Sequence, residues 1–255
     1  MEEFVIKVKY GGLGDHLLYS HLPRIAKTVG GYRKVYISNR SEYRHTDYRK
    51  LVWQLNPFVD GFCDEDSQCP TVMTIAPGTN FLDMMMLELG LDDGKRFHEP
   101  EIFYRPKFIP QLAEKRVFDP NFASNAGAIS NTKLIRYLNE SGGVDMQMRA
   151  RDKSYGVQGG IPILEANDVF QYCDIITSCG SFFCLTSGGA TLAAALRKQA
   201  TVLYGYGVNQ WFHHSRQHKY VDVSMVFARQ IYPAIRILHK ASSYGKKFFK
   251  NNYSC

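Results

Sequence analysis

The sequence lacks the residue spacings that build a metal site or a disulfide scaffold. Its six cysteines form no CxxC pair, and no cluster of histidine and cysteine has the spacing of zinc ligands. A chain of 255 residues does not need disulfides for stability, so we expect free thiols in a reducing cytoplasm. Cys63 and Cys69 are close enough in sequence to pair, but cytosolic disulfides are rare.

Long apolar runs and targeting segments are also missing. No stretch approaches the about 18 consecutive apolar residues that span a bilayer. The opening MEEFVIKVKYGG carries two acids before a short apolar stretch, which is typical of neither a secretory signal nor a transit peptide. We therefore expect a cytoplasmic protein. An apolar content of 45% and an aromatic content of 13% suffice for a packed core, which excludes wholesale disorder.

Acidic residues are absent from the C-terminal stretch. The last acid is Asp222, and the basic residues beyond it account for most of the net charge of +7. The rest of the chain is close to neutral, which argues against a protein that coats nucleic acid. The basic residues of this tail are Arg229, Arg236, Lys240, Lys246, Lys247 and Lys250.

Strand and helix patterns alternate along the chain, which predicts an α/β protein with parallel sheets. The periodicity fails between Pro100 and Pro110, where PEIFYRPKFIP indicates a linker. We therefore predict two Rossmann-like domains, residues 1–105 and 106–255, facing each other across a cleft. The predicted strands are residues 4–10, 34–37, 59–62, 71–75, 116–119, 144–148, 174–177, 182–185 and 201–204. The predicted helices are residues 15–29, 47–55, 80–89, 133–139, 167–173 and 190–196.

The first candidate site is the turn GGLGD at residues 11–15. Glycines in such a turn let the backbone approach a ligand or adopt positive φ. The motif is not GxGxxG, and no acid follows the second strand, so both features count against a dinucleotide oxidoreductase. Asp15 stands where a helix begins. Two roles remain open for it: a helix N-cap, or a carboxylate placed in the cleft to take a proton from an acceptor hydroxyl.

The second candidate site is the turn TSGGAT at residues 186–191. It joins an apolar strand to a helix of small and aliphatic residues, so both elements are expected to be buried. A buried helix start leaves N–H groups unpaired, which an anion satisfies, and Ser187 and Thr191 add hydroxyls. The alternative is close helix–sheet packing, with one of the two hydroxyls as a cap.

Further polar groups follow other predicted strands. Ser124, Asn125 and Lys133 can bind phosphate oxygens, or can belong to an ordinary loop before a helix. Glu165 can accept from a ribose diol, although a solvated glutamate is the simpler interpretation. We interpret His213, His214 and His218 as loop residues, in contact with substrate together with Trp211.

These residues resemble the heptosyltransferase-like glycosyltransferases of family nine. The opening strand, GGLGD and the helix with LYSHLPRIA are similar to the family's N-terminal segment. The stretch DVFQYCDIITSCGSFFCLTSGGATLAAALRKQATVLYG is similar to its C-terminal segment. The family has an acid where this chain has Thr186 and a helix-initial histidine where it has Thr191, so the resemblance does not name the donor.

The resemblance implies a GT-B fold and an inverting reaction without an essential metal or cofactor. It implies that Asp15 is the general base and that Ser187, Gly188 and Gly189 bind the donor diphosphate, with Lys133 near a phosphate. Gly12, Gly14, Thr186 and Thr191 complete the predicted site.

Two further functions stay open beside a sugar transferase of cell-surface polysaccharide or lipid-linked glycan, such as lipopolysaccharide or capsule. The first is a sugar-nucleotide-binding protein without transferase activity, suggested by Thr186 in the place of an acid. The second, and weaker, is an oxidoreductase of the NAD type. Neither nucleic acid nor a metal is an expected partner.

The basic tail can be drawn as a helix over residues 230–249. Its apolar and basic faces suit a helix on an anionic membrane surface, bound through Arg236 to Lys250. The alternative is a terminal helix that crosses back to the first domain.

If the tail binds membrane, a chain ending after Tyr232 should lose binding to vesicles that contain anionic lipid, because it lacks the basic and apolar residues. Co-sedimentation with anionic and with neutral vesicles measures this loss. Unchanged binding by the shortened chain would contradict the membrane role.

Overall fold

The computed structural model describes residues 3–67, 75–122, 126–208, 216–228 and 230. Two parallel β-sheets form its framework. In the first sheet, three strands lie side by side in sequence order, and both neighbouring pairs are parallel. They are β1 (Glu3–Ile6), β2 (Lys34–Ser38) and β3 (Gly61–Cys63).

The second sheet has six strands, again all parallel. They are β4 (Arg116–Asp119), β5 (Met146–Met148), β6 (Ile163–Leu164), β7 (Ser181–Leu185), β8 (Ala200–Tyr204) and β9 (Lys219–Asp222). Their order in the sheet is β6-β5-β4-β7-β8-β9. The chain therefore reverses its direction across the sheet between β4 and β7, and ligands of such sheets bind at the carboxyl ends of the two strands that flank this point.

Helices separate most of the strands, which confirms the predicted α/β class. They are α1 (Leu13–Leu17), α2 (Leu22–Thr28), α3 (Thr46–Tyr48), α4 (Phe81–Glu88), α5 (Asn131–Glu140), α6 (Val169–Ser178) and α7 (Gly188–Ala195). A π-helical turn, Arg49–Gln54, continues α3, and a 3₁₀ turn covers Pro110–Leu112. Among the described residues, no helix has the length and apolarity needed to cross a membrane.

Two predicted elements are wrong in detail. The single helix over residues 15–29 is divided into α1 and α2, because Pro23 has no N–H to donate to the Tyr19 carbonyl and its ring crowds that carbonyl. The predicted strand at residues 174–177 is the second half of α6. Its β-branched residues favour a strand locally, but Ile175 and Ile176 pack into the core, and such packing overrides propensity.

The predicted linker runs without helix or strand from residue 99 to the 3₁₀ turn. Glu101 pairs with Arg24 of α2 at 2.8 Å, and the Lys107 N–H donates to Asp174 of α6 at 2.8 Å. The segment is therefore bonded to both halves. One apolar cluster contains buried side chains of both halves, and a second cluster lies within the second half. The division into domains at residue 105 stays a prediction. Predicted strand 71–75 lies almost wholly outside the described residues, as does the tail from residue 231 onward.

Four cysteines, Cys63, Cys173, Cys179 and Cys184, are free, as expected. Cys69 lies outside the described residues.

A buried charged cluster holds the first half together. Asp83, in α4, lies 2.6 Å from His98 Nδ1, and Asp93 lies 3.2 Å from His98 Nε2. The ring of His21, which precedes α2, packs on His98 with centroids 5.3 Å apart. Burial lowers the pKa of His98, but the bonds to the two aspartates outweigh it, and the net shift is upward. The cluster therefore favours the charged form of the His98 ring, which lies between two carboxylates.

This charge makes the stability pH-dependent. The pKa of His98 is higher in the folded protein than the value of about 6.5 in the unfolded chain. The charged ring therefore stabilises the fold fully below about pH 6.5, and this stabilisation is lost as the pH rises through the folded pKa. The difference in free energy of unfolding between wild type and His98→Asn should therefore be largest near about pH 6 and shrink as the pH rises above the unfolded pKa. Urea unfolding across this range measures it, with the exposed His45→Asn as control. A constant difference would contradict the charged state.

Candidate active site

The first turn of the site follows β1. Residues 11–15 lead into α1, whose N-cap is Gly12. Asp15 is therefore the third residue of the helix, not its cap, and its Oδ2 accepts a hydrogen bond from the Gly12 N–H at 3.0 Å. Asp15 Oδ1 has no hydrogen-bond partner within the described part of the chain. One oxygen thus supports the helix start, and the other is left for a ligand.

The carboxyl group of Asp15 is half-buried. Burial raises its pKa, and the hydrogen bond from Gly12 and the positive charge of Arg44 offset this only in part. The pKa therefore lies above that of an ordinary aspartate. A carboxylate with a raised pKa is a stronger proton acceptor, which suits a general base.

A loop at residues 41–45 closes over this turn. The Arg44 N–H donates to the Gly11 carbonyl at 2.8 Å. A Cβ at Gly11 would lie 2.9 Å from Arg44 N, so glycine is what permits this approach. The loop places Arg44 Nη1 3.7 Å from the point where a Cβ of Gly12 would stand, beside Asp15.

His16 fastens α1 to the same loop, and sequence analysis missed it. Trp53 Nε1 donates to His16 Nδ1 at 3.0 Å, so the proton resides on Nε2, which donates to the Glu42 carbonyl at 2.9 Å. Burial lowers the pKa of His16 to about 4, and its ring stacks on Tyr43 with centroids 4.4 Å apart. The neutral imidazole is scaffold beside Asp15 and not a second base.

The second turn joins β7 to α7. Ser187 is the N-cap of α7, and its Oγ accepts from the Gly189 N–H at 3.2 Å. Its carbonyl accepts from Thr191 Oγ1 at 3.3 Å, and Thr191 is fully buried. Thr186 is only 4% exposed, and its hydroxyl has no hydrogen-bond partner among the described residues. Two of the three predicted hydroxyls are thus used within the turn, and that of Thr186 is unpaired.

The two glycine turns touch each other. A Cβ at Gly188 would lie 3.1 Å from Gly14 N, and a Cβ at Gly14 would lie 3.4 Å from Gly188 Cα. The helices α1 and α7 therefore meet at their first turns. The structure brings together the predicted residues of both turns, with Asp15 next to the contact.

A buried carboxylate beneath Gly189 was not predicted. Asp119 ends β4, is 5% exposed, and accepts hydrogen bonds from the Tyr172 hydroxyl and, at 2.7 Å, from Asn121 Nδ2. Burial raises its pKa, although these hydrogen bonds oppose the rise. A Cβ at Gly189 would stand 3.1 Å from Asp119 Oδ2 and would overlap the Tyr172 oxygen. An acid at the carboxyl end of a buried strand was the signal that could have found it.

The other predicted residues lie around this centre or outside it. Lys133 is in the first turn of α5, where Ser130 is the N-cap and accepts from the Lys133 N–H at 3.3 Å. Glu165, which follows β6, is exposed and pairs with Arg149. Ser124 and Asn125 lie outside the described residues.

Of His213, His214 and His218, the structure describes His218, which lies in the turn before β9, as predicted. His218 is buried: its Nδ1 accepts from the Ala200 N–H at 3.1 Å, and its Nε2 lies 3.0 Å from the Ala190 carbonyl. Burial lowers its pKa to about 4. Trp211, His213 and His214 lie outside the described residues. Within the described ranges, no group of three or more histidine, cysteine or acidic side chains is arranged to hold a metal ion.

Solved structures share this architecture. A glycosyl transferase family 9 protein from Veillonella parvula matches with a TM-score of 0.57 at 10% identity, over 92% of this chain and 89% of that one. The ADP-heptose lps heptosyltransferase II of E. coli matches with a TM-score of 0.55 at 12% identity, over 95% and 98%. The fold is that of the family nine glycosyltransferases. This confirms the fold class that the sequence predicted.

The iron-containing dodecameric glycosyltransferase TibC from enterotoxigenic E. coli is also similar to this chain in fold. It matches with a TM-score of 0.58 at 15% identity, over 84% of this chain, which spans 61% of the TibC chain. No protein-family model and no curated protein matches the sequence. At these identities the likeness extends to the fold alone.

The tight packing under α7 gives a test. Alanine normally stabilises a helix relative to glycine by up to about 1 kcal/mol, yet Gly189→Ala should destabilise the protein by about 1–3 kcal/mol, because its methyl group overlaps the Tyr172 hydroxyl. Chemical unfolding measures this. Gly14→Ala is the matched control, since its Cβ would make only ordinary contacts.

Tyr172→Phe removes the oxygen that the new methyl group meets. The double variant Gly189→Ala/Tyr172→Phe should therefore be more stable than the sum of the single effects predicts. Strict additivity would show that the two positions do not meet.

Proposed function

We propose that the protein is an inverting, metal-independent glycosyltransferase. It moves a sugar from a nucleotide-sugar donor to a hydroxyl of a cell-surface polysaccharide or lipid-linked glycan. The observation that carries this proposal is the contact between the first turns of α1 and α7, because it sets Asp15 beside the glycine turn at the carboxyl end of β7. The likeness to family nine folds supports the same reaction class.

Asp15 is the general base of this reaction. Its Oδ1 takes the proton of the acceptor hydroxyl, while Oδ2 stays bonded to Gly12 and fixes the carboxylate. The acceptor oxygen then forms a bond to the anomeric carbon from the face opposite the donor phosphate. The bond from that carbon to the phosphate oxygen breaks, and its electron pair leaves with the nucleoside diphosphate. Attack from the opposite face inverts the anomeric centre.

The α7 turn binds the donor diphosphate. The positive end of a helix stabilises phosphate charge, and such donors act most strongly on the charge that develops on a leaving group. The Gly189 N–H already has Ser187 Oγ as its partner, so the Gly188 N–H and the unpaired Thr186 hydroxyl are the groups left for a phosphate. Lys133, in the first turn of α5, supplies a further donor and a positive charge.

A second candidate is a protein that binds sugar nucleotides without transferring the sugar. Thr186 favours it, because the resemblance leads one to expect an acid there and a hydroxyl carries no charge.

The test of the transferase begins with the donor. Thermal shifts with ADP, GDP, UDP, TDP and CMP sugars identify the ligand, since a ligand that prefers the folded state raises the melting temperature. With that donor and an acceptor panel, Asp15→Asn should lower kcat by about 10²–10⁴-fold, the usual contribution of a general base. Donor binding should change little, because the amide oxygen still accepts from Gly12.

Asp92→Asn, an exposed acid of the same half bonded to Arg96, is the control and should keep wild-type turnover. Wild-type-like turnover by Asp15→Asn would refute the base role. Tight donor binding without product from the wild type, over a broad acceptor panel, would favour the binding protein.

A further inference from the structure

The second half carries an exposed apolar turn shortly after β9. Val226 is 64% exposed and Phe227 is 72% exposed, and no other large apolar side chain in the described ranges is more exposed than Phe227. Tyr206 and Met225 are also exposed, at 38% and 37%. Single exposed apolar residues are common on protein surfaces, but a contiguous group of them marks an interaction surface. We call these four residues the apolar patch.

The loop before α5 holds the two parts of the apolar patch together. The Ala128 N–H donates to the Tyr206 carbonyl at 2.9 Å, and the Ala128 carbonyl accepts from the Met225 N–H at 2.9 Å. Tyr206 and Met225 are thus bonded to the same residue. In the same loop, the Ser130 N–H donates to the Val223 carbonyl at 2.9 Å. The patch therefore has a hydrogen-bonded base at the carboxyl ends of β8 and β9.

A tight turn presents Val226 and Phe227 to the outside. The Ala228 N–H donates to the Met225 carbonyl at 3.1 Å, and Ala228 is buried, so Val226 and Phe227 are the two central residues of the turn. Phe227 has a φ of 63°, a left-handed backbone that glycine or asparagine normally adopts in turns. The strain holds an aromatic ring in solvent, where the rest of the chain buries little of it. Such an outlier indicates a partner outside the chain.

The charge around the apolar patch in sequence is of one sign. Asp222, whose Oδ1 accepts from the Ser224 N–H at 2.7 Å, is the last acid of the chain, and six lysines and arginines follow it, beginning with Arg229. Exposed aromatic and aliphatic side chains beside uncompensated basic residues fit the boundary of an anionic bilayer. Apolar groups enter the edge of the acyl region there, and basic groups attract the headgroups.

We propose that the apolar patch docks on an anionic lipid bilayer, with Val226 and Phe227 inserted among the headgroups. This surface belongs to the folded second half and is distinct from the helix predicted over residues 230–249. The strands of the second sheet are parallel, so the patch lies at the same edge of the sheet as the α7 turn. A bilayer at the patch is therefore on the side of the sheet that carries the candidate site. The use of this placement for a lipid-linked acceptor rests on the proposed function, whereas the docking itself does not.

Co-sedimentation of the full chain with vesicles tests the docking without turnover, so it can fail or succeed independently of the transferase. Vesicles of phosphatidylglycerol and phosphatidylcholine are compared with vesicles of phosphatidylcholine alone. The test variant is Val226→Ser/Phe227→Ser. The matched control is Val29→Ser/Phe108→Ser, which removes a valine and a phenylalanine that are 50% and 65% exposed elsewhere on the surface. Melting temperatures equal to that of the wild type establish that both variants are folded.

We expect Val226→Ser/Phe227→Ser to weaken partition into the anionic vesicles by about tenfold or more, because two apolar side chains no longer leave water on binding. The control should bind as the wild type does. High salt should weaken the binding of the wild type, because it screens the attraction between basic residues and headgroups. Vesicles of phosphatidylcholine alone should bind the wild type more weakly than the anionic vesicles do.

A tryptophan at the turn reports insertion directly. The fluorescence of Phe227→Trp should shift to the blue with anionic vesicles and be quenched by brominated lipid, whereas that of Phe108→Trp should not change. The proposal is overturned if the wild type binds neither kind of vesicle, or if Val226→Ser/Phe227→Ser binds like the control. It is also overturned if, without vesicles, removal of the residues after Tyr232 shifts the Phe227→Trp emission to the red, because the chain itself then covers the patch.

Discussion

The approach of Gly188 to Gly14 is the constraint around which the two halves are arranged. Two short helices meet at their starts, and the positive ends of two helices repel each other. Each start has a carboxylate of its own: Asp15 accepts from Gly12 at α1, and Asp119 lies against Gly189 at α7. These two negative charges reduce the repulsion, so the close backbone contact and the two carboxylates belong to one electrostatic arrangement.

Features encoded by neighbouring residues could be predicted from the sequence. The alternation of strands and helices gave the α/β class, and the glycine turns at residues 11–15 and 186–191 were found because strand, glycine and helix follow one another directly. Errors arose where tertiary packing overrode a local pattern. The β-branched residues at 175–177 favour a strand, yet they form the end of α6. The apolar pattern of a helix continues across Pro23, but proline interrupts the helical hydrogen bonds there.

The parts of the site that escaped prediction are held by contacts between distant residues. His16 acquires its role from Trp53 and Glu42, 37 and 26 positions away, and Asp119 is paired with Tyr172, 53 positions away. No window of sequence contains both members of such a pair. Arg44 carried even less signal, because an exposed arginine in a loop is ordinary until the fold places it beside the first glycine turn.

The negative charge at the start of α7 comes from a different residue than the family nine resemblance leads one to expect. The resemblance predicts an acid at position 186, but Thr186 stands there. Asp119 supplies a carboxylate to the same helix start from the neighbouring strand β4, so the helix is not left without a counter-charge. Its Oδ2 faces Gly189 and is already bonded to Tyr172, which leaves the helix with less positive potential for a diphosphate than a bare N-terminus has. A phosphate in this cleft therefore depends on positive charge from elsewhere, and Arg44, whose Nη1 lies beside Gly12 and Asp15, is one group positioned to supply it.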